Sequence, residues 1–93
     1  MNFEIWRNQI LMEPQNISPL KFGMSQDEII NIFGKSDSVS TMRRRGKPLI
    51  LKYHNIEFHF GVQTHGLHLI LVMTRSSCAL QLIIIKDHSN ERL

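Results

Sequence analysis

Apolar residues recur along this chain at two spacings. In QDEIINIF, residues 26–33, Ile29, Ile30 and Phe33 share one face at helical spacing, with Ile32 on its flank. Ser25 precedes this run and Glu28 lies three positions on, the pattern of a capping box. Asp27 and Glu28 put negative charge at the positive end of the helix dipole, and Gly34 suits the left-handed stop. A helix is predicted over residues 26–33. So short a helix is unstable alone and must lie on an apolar surface.

Farther on the period becomes two. Strands are predicted over 37–44, 49–53, 56–60, 67–74 and 79–85. Between them lie turns at 45–48, 54–55, 61–66 and 75–77. With His54-Asn55 as a two-residue loop, Tyr53 faces Ile56, Leu51 faces Phe58 and Leu49 faces Phe60. Lys52 then falls opposite Glu57 on the other face, a favourable cross-strand pair. With Gln63-Thr64 at the tip of the next hairpin, Phe60 faces Leu67, Phe58 faces Leu69 and Ile56 faces Leu71. Leu49, Leu51, Phe58, Phe60, Leu67 and Leu69 then seat Ile29, Ile30 and Phe33. Residues 3–12 alternate loosely and read as a first strand, and Pro14 and Pro19 bracket a connector.

These elements give a single α+β domain, one short helix on an antiparallel meander of four to six strands. Residues 1–17 are the N-terminal strand and connector, 18–86 the helix and sheet, and 87–93 a tail. In this register Ile70 and Val72, with Ile83 and Ile85, point away from the helix. Strands apolar on both faces are normally covered twice. The segment around Trp6 and Ile10 must fold over the second face, or a partner must cover it.

Composition narrows the class. The chain has 93 residues, 42% hydrophobic and 20% charged, enough for one globular domain. One cysteine, Cys78, allows no internal disulfide and favours a reducing compartment. The first residues lack a basic region followed by an apolar run, and no apolar stretch reaches the roughly 20 residues of a membrane span. A cytoplasmic location is expected. The net charge of +3 is mildly basic, weaker than a dedicated nucleic-acid binder shows.

Candidate chemistry is sparse. The Gly23-Met24-Ser25 turn could cradle a phosphate, but it has one glycine where such loops carry several and usually a lysine. A tight lead into a capped helix explains it better. His59 and His68 oppose each other in the register above, beside Glu57. They are the candidates for a metal site, but a third and fourth ligand are missing, and no metal or other cofactor is expected. His54 and His65 read as turn residues and His88 as tail. Cys78, Ser76 and Ser77 lack a neighbouring base, and the acidic residues are scattered. Arg43, Arg44, Arg45 and Lys47 form the one dense basic run, on a predicted hairpin tip. It suits an acidic protein surface first and RNA second, since no aromatic residues interleave it.

The order PLKFGMSQDEIINIFGKSD, LKYHNIEFHF and LHLILV, over residues 18–73, resembles beta-lactamase-inhibitor-protein-like and SmpA/OmlA-like bacterial domains. They share an apolar-Gly-Met-Ser/Thr turn, a capped helix ending in glycine and a Tyr-containing hairpin. The resemblance implies a helix on an antiparallel sheet that works by binding other proteins. Lys35-Ser36 departs from the Gly-x-Pro that often ends that helix, and no lipobox cysteine lies near the N-terminus. The matched positions are folding residues, so no binding residue is carried over.

The leading expectation is therefore a small non-enzymatic bacterial protein that binds another protein, a toxin or enzyme, in an immunity-like or inhibitory role. Arg43, Arg44, Arg45, Lys47, Ile70 and Val72 are its candidate partner-binding residues. A homodimer through residues 82–85 or through the second sheet face is a further expectation. The alternatives are nucleic-acid binding through the basic tip and a metal-dependent site at His59 and His68.

Overall fold

The computed structural model describes residues 2–41, 48–61, 64–76 and 79–87, and the backbone alone at 40, 41, 48, 49 and 76. Two helices lie on one face of a five-stranded antiparallel sheet. In chain order they are α1 (Phe3–Met12), α2 (Gln26–Phe33), β1 (Ser38–Thr41), β2 (Pro48–Tyr53), β3 (Ile56–Phe60), β4 (Leu67–Ser76) and β5 (Ala79–Lys86). The strands follow one another as a meander, β1-β2-β3-β4-β5. The α+β class is as expected. No helix among the described residues is long and apolar enough to cross a membrane.

Helix α2 keeps the predicted bounds. The Ser25 hydroxyl accepts from the Glu28 N–H, and a Glu28 carboxylate oxygen accepts from the Ser25 N–H at 2.9 Å. Gly34 ends the helix at φ 88°, where a side chain would be strained. Ile29 is fully buried and Phe33 packs against the core, but Ile30 turns outward and stays 37% exposed. The buried face runs through Ile29 and Phe33, one turn apart, and Ile30 lies off it.

The N-terminal segment is a helix, not the expected strand. The Asn2 side chain caps it, accepting from the Glu4 and Ile5 N–H groups at 2.7 and 3.3 Å. Phe3, Trp6 and Ile10 are spaced to share one helical face, and Trp6 and Ile10 have no exposed surface. The local alternation Phe3-Glu4-Ile5 imitates a strand, but the longer spacing decides. Trp6 donates its indole N–H to the Ile17 carbonyl at 3.1 Å, which fastens the connector to the helix. α1 thus covers the same face as α2 and leaves the other face open.

Five rings join both helices to the sheet. Phe3, Trp6, Phe33, Tyr53 and Phe58 lie with neighbouring centroids 5.2 to 6.1 Å apart, in tilted, edge-on and stacked pairs. Tyr53 donates its hydroxyl to the Gly34 carbonyl at 2.6 Å. Burial, and secondarily the Asp37 carboxylate, push its pKa up to about 12. No polar or charged residue is buried among those described.

The sheet register is as expected between β2 and β3: Tyr53 opposes Ile56, Lys52 opposes Glu57 and Leu51 opposes Phe58. The pairing expected of Leu49 with Phe60 concerns a side chain outside the described set. Between β3 and β4 the expected register holds only for Phe60 and Leu67. A bulge follows, and His59 pairs with Leu69, Phe58 with Ile70, Glu57 with Leu71 and Ile56 with Val72. The extra residue is His68. One inserted residue exchanges the two faces of every position beyond it. Ile70 and Val72 are therefore fully buried under the helices, and do not point away from them as expected. Ile85 and the half-buried Ile83 follow them inward, since they pair with Ile70 and Val72.

The Gly23-Met24 turn is hydrogen-bonded to the start of β4. Gly23 N–H donates to the Leu67 carbonyl and Leu67 N–H donates to the Met24 carbonyl, both at 2.8 Å. The backbones come so close that a Cβ on Gly66 would sit 2.9 Å from the Gly23 carbonyl oxygen. Gly66→Ala is expected to lower the urea unfolding free energy by about 1–3 kcal/mol, the usual range for an overpacked contact. A second expectation concerns Tyr53. An acid whose pKa is raised on folding stabilises the protein below its unfolded pKa near 10 and loses that stabilisation as pH rises towards about 12. Urea midpoints measured from pH 9 to 12 should fall more steeply for the wild type than for Tyr53→Phe.

Candidate protein-binding face

The bulge decides what the open face presents. With Phe58, Ile70 and Ile85 inward, the alternate positions of each strand face out. Across the sheet, Ile50, His59, Leu69 and Lys86 form one row, and Ser38, Lys52, Glu57, Leu71 and Ile84 the next. On β4 and β5 alone, Met73 pairs with Leu82 and Arg75 with Leu80. The face is thus divided. Its β1–β3 side carries Ser38, Lys52, Glu57 and His59 beside Ile50. Its β4–β5 side carries Leu69, Leu71, Met73, Leu80, Leu82 and Ile84, with the charged Arg75 and Lys86 at its two ends.

Helices α1 and α2 lie behind the sheet, so the apolar side remains exposed. Leu80 is 66% exposed, Leu82 53% and Ile84 54%. Single exposed apolar residues need no explanation, but three on successive outward positions of one strand, backed by the half-buried Leu71 and Met73, form a continuous patch. Such a patch rimmed by polar groups is the usual form of a protein–protein contact surface.

The polar rim contains one linked pair. His59 Nε2 lies 3.0 Å from a Glu57 carboxylate oxygen, and both side chains are largely covered by neighbours. His68 does not oppose His59. His59 faces Leu69, while His68 is the bulged residue, with an exposed side chain. The expected pair of opposed histidines is therefore not formed. Among the described residues, no three His, Cys, Asp or Glu side chains gather in a way that could hold a metal ion.

The remaining candidates separate plainly. Arg43, Arg44, Arg45 and Lys47 lie outside the described residues, as do Ser77, Cys78 and His88. His54 and His65 are turn residues with φ of 55° and 60°, as read from the sequence. The His54 N–H donates to the Asp37 carboxylate at 2.7 Å. Beside the start of α2, a hollow of about 70 Å³ is lined by Ser25, Gln26, Asp27 and His65. The Asp27 carboxylate in that lining works against an anion, and the capping box already uses the Ser25 hydroxyl. The face residues that sequence reasoning passed over are Leu71, Met73 and Leu80; Leu82 and Ile84 fall within the expected dimer segment 82–85. The signal for Leu71 and Met73 was the unbroken apolar run 69–73, which marks a two-sided strand without telling the sides apart; Leu80, set off by Gln81, had none.

Searches among protein-family models, curated proteins and solved structures find no match to this chain. The open face thus stands on its own geometry.

Replacing an outward residue there should cost little folding energy, because it touches only its strand neighbours. Ile84→Lys is expected to shift unfolding by no more than about 0.5 kcal/mol while raising solubility and lowering the binding of a hydrophobic dye. A loss of several kcal/mol on urea unfolding would mean that Ile84 is buried.

Proposed function

We propose that this chain is a small non-enzymatic protein-binding module that engages its partner through the apolar side of the open sheet face. The single observation behind this reading is the exposed row Leu80, Leu82 and Ile84, continued by Leu71 and Met73. Covering it stabilises a complex by roughly 25 cal/mol for each Å² of apolar surface removed from water. The rim of Lys52, Glu57 and His59 supplies polar contacts that choose among partners. The resemblance of residues 18–73 to inhibitor-type and assembly-factor domains supports the same reading. An inhibitory or immunity-like role towards a toxin or enzyme is its most concrete form. The partner-contacting residues move accordingly, from Ile70 and Val72 to the outward positions beside them. Nucleic-acid binding rests on Arg43, Arg44, Arg45 and Lys47, outside the described residues, and no structural observation favours it.

The test is affinity capture from the source cell followed by native mass spectrometry, comparing the wild type with the double variant Leu80→Asp, Ile84→Lys. The wild type should carry a second protein in fixed stoichiometry. The variant should lose it while keeping the circular dichroism of the folded domain. Equal retention of the partner by both proteins would remove the open face from the reading. A wild type that carries no second protein but turns over a substrate would end it.

A further inference from the structure

The two edges of the sheet are built differently. β1 is four residues long and its pairing shifts between Ser40 and Thr41, so that edge is short and kinked. Short strands and bulges are how natural sheets discourage further pairing. β5 has none of these devices. It runs eight residues against β4 with no break in register, contains no proline or glycine, and carries one charge, Lys86, at its end.

The hydrogen bonds around β4 show which groups of β5 are free. Met73 N–H donates to the Asn55 carbonyl and the Met73 carbonyl accepts from the Asn55 side chain, so Met73 turns its main chain towards β3. The carbonyl of His68 accepts from the Asp87 N–H, so the even positions of β4 turn towards β5. In an antiparallel ladder these directions alternate. The odd positions of β5 therefore pair with β4: Ile85 opposes Ile70, Ile83 opposes Val72 and Gln81 opposes Thr74. The N–H and C=O groups of Leu80, Leu82, Ile84 and Lys86 point outward from the edge.

We infer that β5 pairs antiparallel with β5 of a second copy of this chain, about a two-fold axis passing between the two Ile83 residues. In that register Leu82 opposes the partner's Ile84, and Leu80 opposes the partner's Lys86. All four outward positions of each strand then exchange both main-chain bonds, and no free edge group between residues 80 and 86 is left over. A strand added here must be apolar on both sides, to continue both Leu82 and Ile83. Among the described strands, β5 itself is the one that offers that pattern with a free edge.

Charge selects the direction. Parallel pairing would set the two Lys86 residues about 5 Å apart on neighbouring strands. The antiparallel register separates them by six residues, roughly 20 Å and more than two screening lengths at physiological salt. The two-fold also closes the assembly at two copies. About seven residues a side fall short of the 20–30 of a standard interface, so the dimer depends on concentration. This pairing uses the strand's edge and leaves the open face to the partner proposed above. The two can therefore fail separately.

Sedimentation equilibrium and hydrogen exchange, each at low and high protein concentration, test the inference. The apparent mass should rise from one 10.9 kDa chain towards twice that value. The amides of residues 80, 82, 84 and 86 should slow about tenfold as it does. In a Cys78→Ser background, Ile83→Cys should link two chains under mild oxidation, because directly opposed residues of a non-hydrogen-bonded pair sit within disulfide reach. Leu82→Pro removes an outward donor without losing a bond to β4, and should stay monomeric with unchanged circular dichroism. If that variant does not fold, exchange in the wild type decides. A single-chain mass up to about 1 mM overturns the inference. So does a dimer in which those four amides exchange no more slowly than in the monomer.

Discussion

The whole arrangement turns on one inserted residue. His68 sits between the pair Phe60–Leu67 and the pair His59–Leu69, and nothing on β3 opposes it. Without that insertion Leu69 and Leu71 would face the helices, and Ile70 and Val72 would face solvent. With it, the β-branched Ile70 and Val72 fill the core beside Phe58 and Ile56, while the leucines and Met73 are turned out. Every outward residue on β4 and β5, and so the character of the open face, follows from that single offset.

The bulge is held in place by its surroundings. The Leu67 main chain is bonded on one side to the Gly23-Met24 turn, and Leu67 opposes Phe60 on the other. Gly66 permits this because its missing side chain leaves room for the Gly23 carbonyl. The start of α2, the end of β3 and the start of β4 are thus fixed as one unit. The aromatic cluster then attaches α1 to it through Trp6 and Phe3. The stretch from Gly23 to Ser25, which invites comparison with a phosphate loop, is better understood as the joint between helix and sheet.

Much of this was legible in the residues, for physical reasons that also mark where legibility stops. α2 was readable because a capping box, an apolar face and a glycine stop all agree. The β2–β3 hairpin was readable because its apolar positions alternate cleanly, so a slip would be costly. α1 was misread because Phe3-Glu4-Ile5 alternates locally, while the cap at Asn2 and the spacing of Phe3, Trp6 and Ile10 spoke for a helix. β4 was oriented only from its hairpin with β3, and the bulge at His68 reversed that orientation. Leu69 to Met73 is apolar at every position, so periodicity offers no preference between its two sides, and a bulge leaves no trace in such a run. The open face inherited that ambiguity: an uncovered apolar surface was foreseeable, but its residues were not.

The bond between the Gly23-Met24 turn and Leu67 has a further consequence, for the order of events in folding. α2 is complete in the chain long before β4 exists, yet an eight-residue helix has little stability of its own. Its anchor lies more than forty residues downstream. The first third of the chain must therefore wait for the β3–β4 hairpin before it can settle. Folding is governed by distant contacts, not by the helix that looks best formed in isolation. During synthesis the ring partners of Phe33, at residues 3, 6, 53 and 58, are all made before residue 67, but the main-chain joint that seats the start of α2 on the sheet is not.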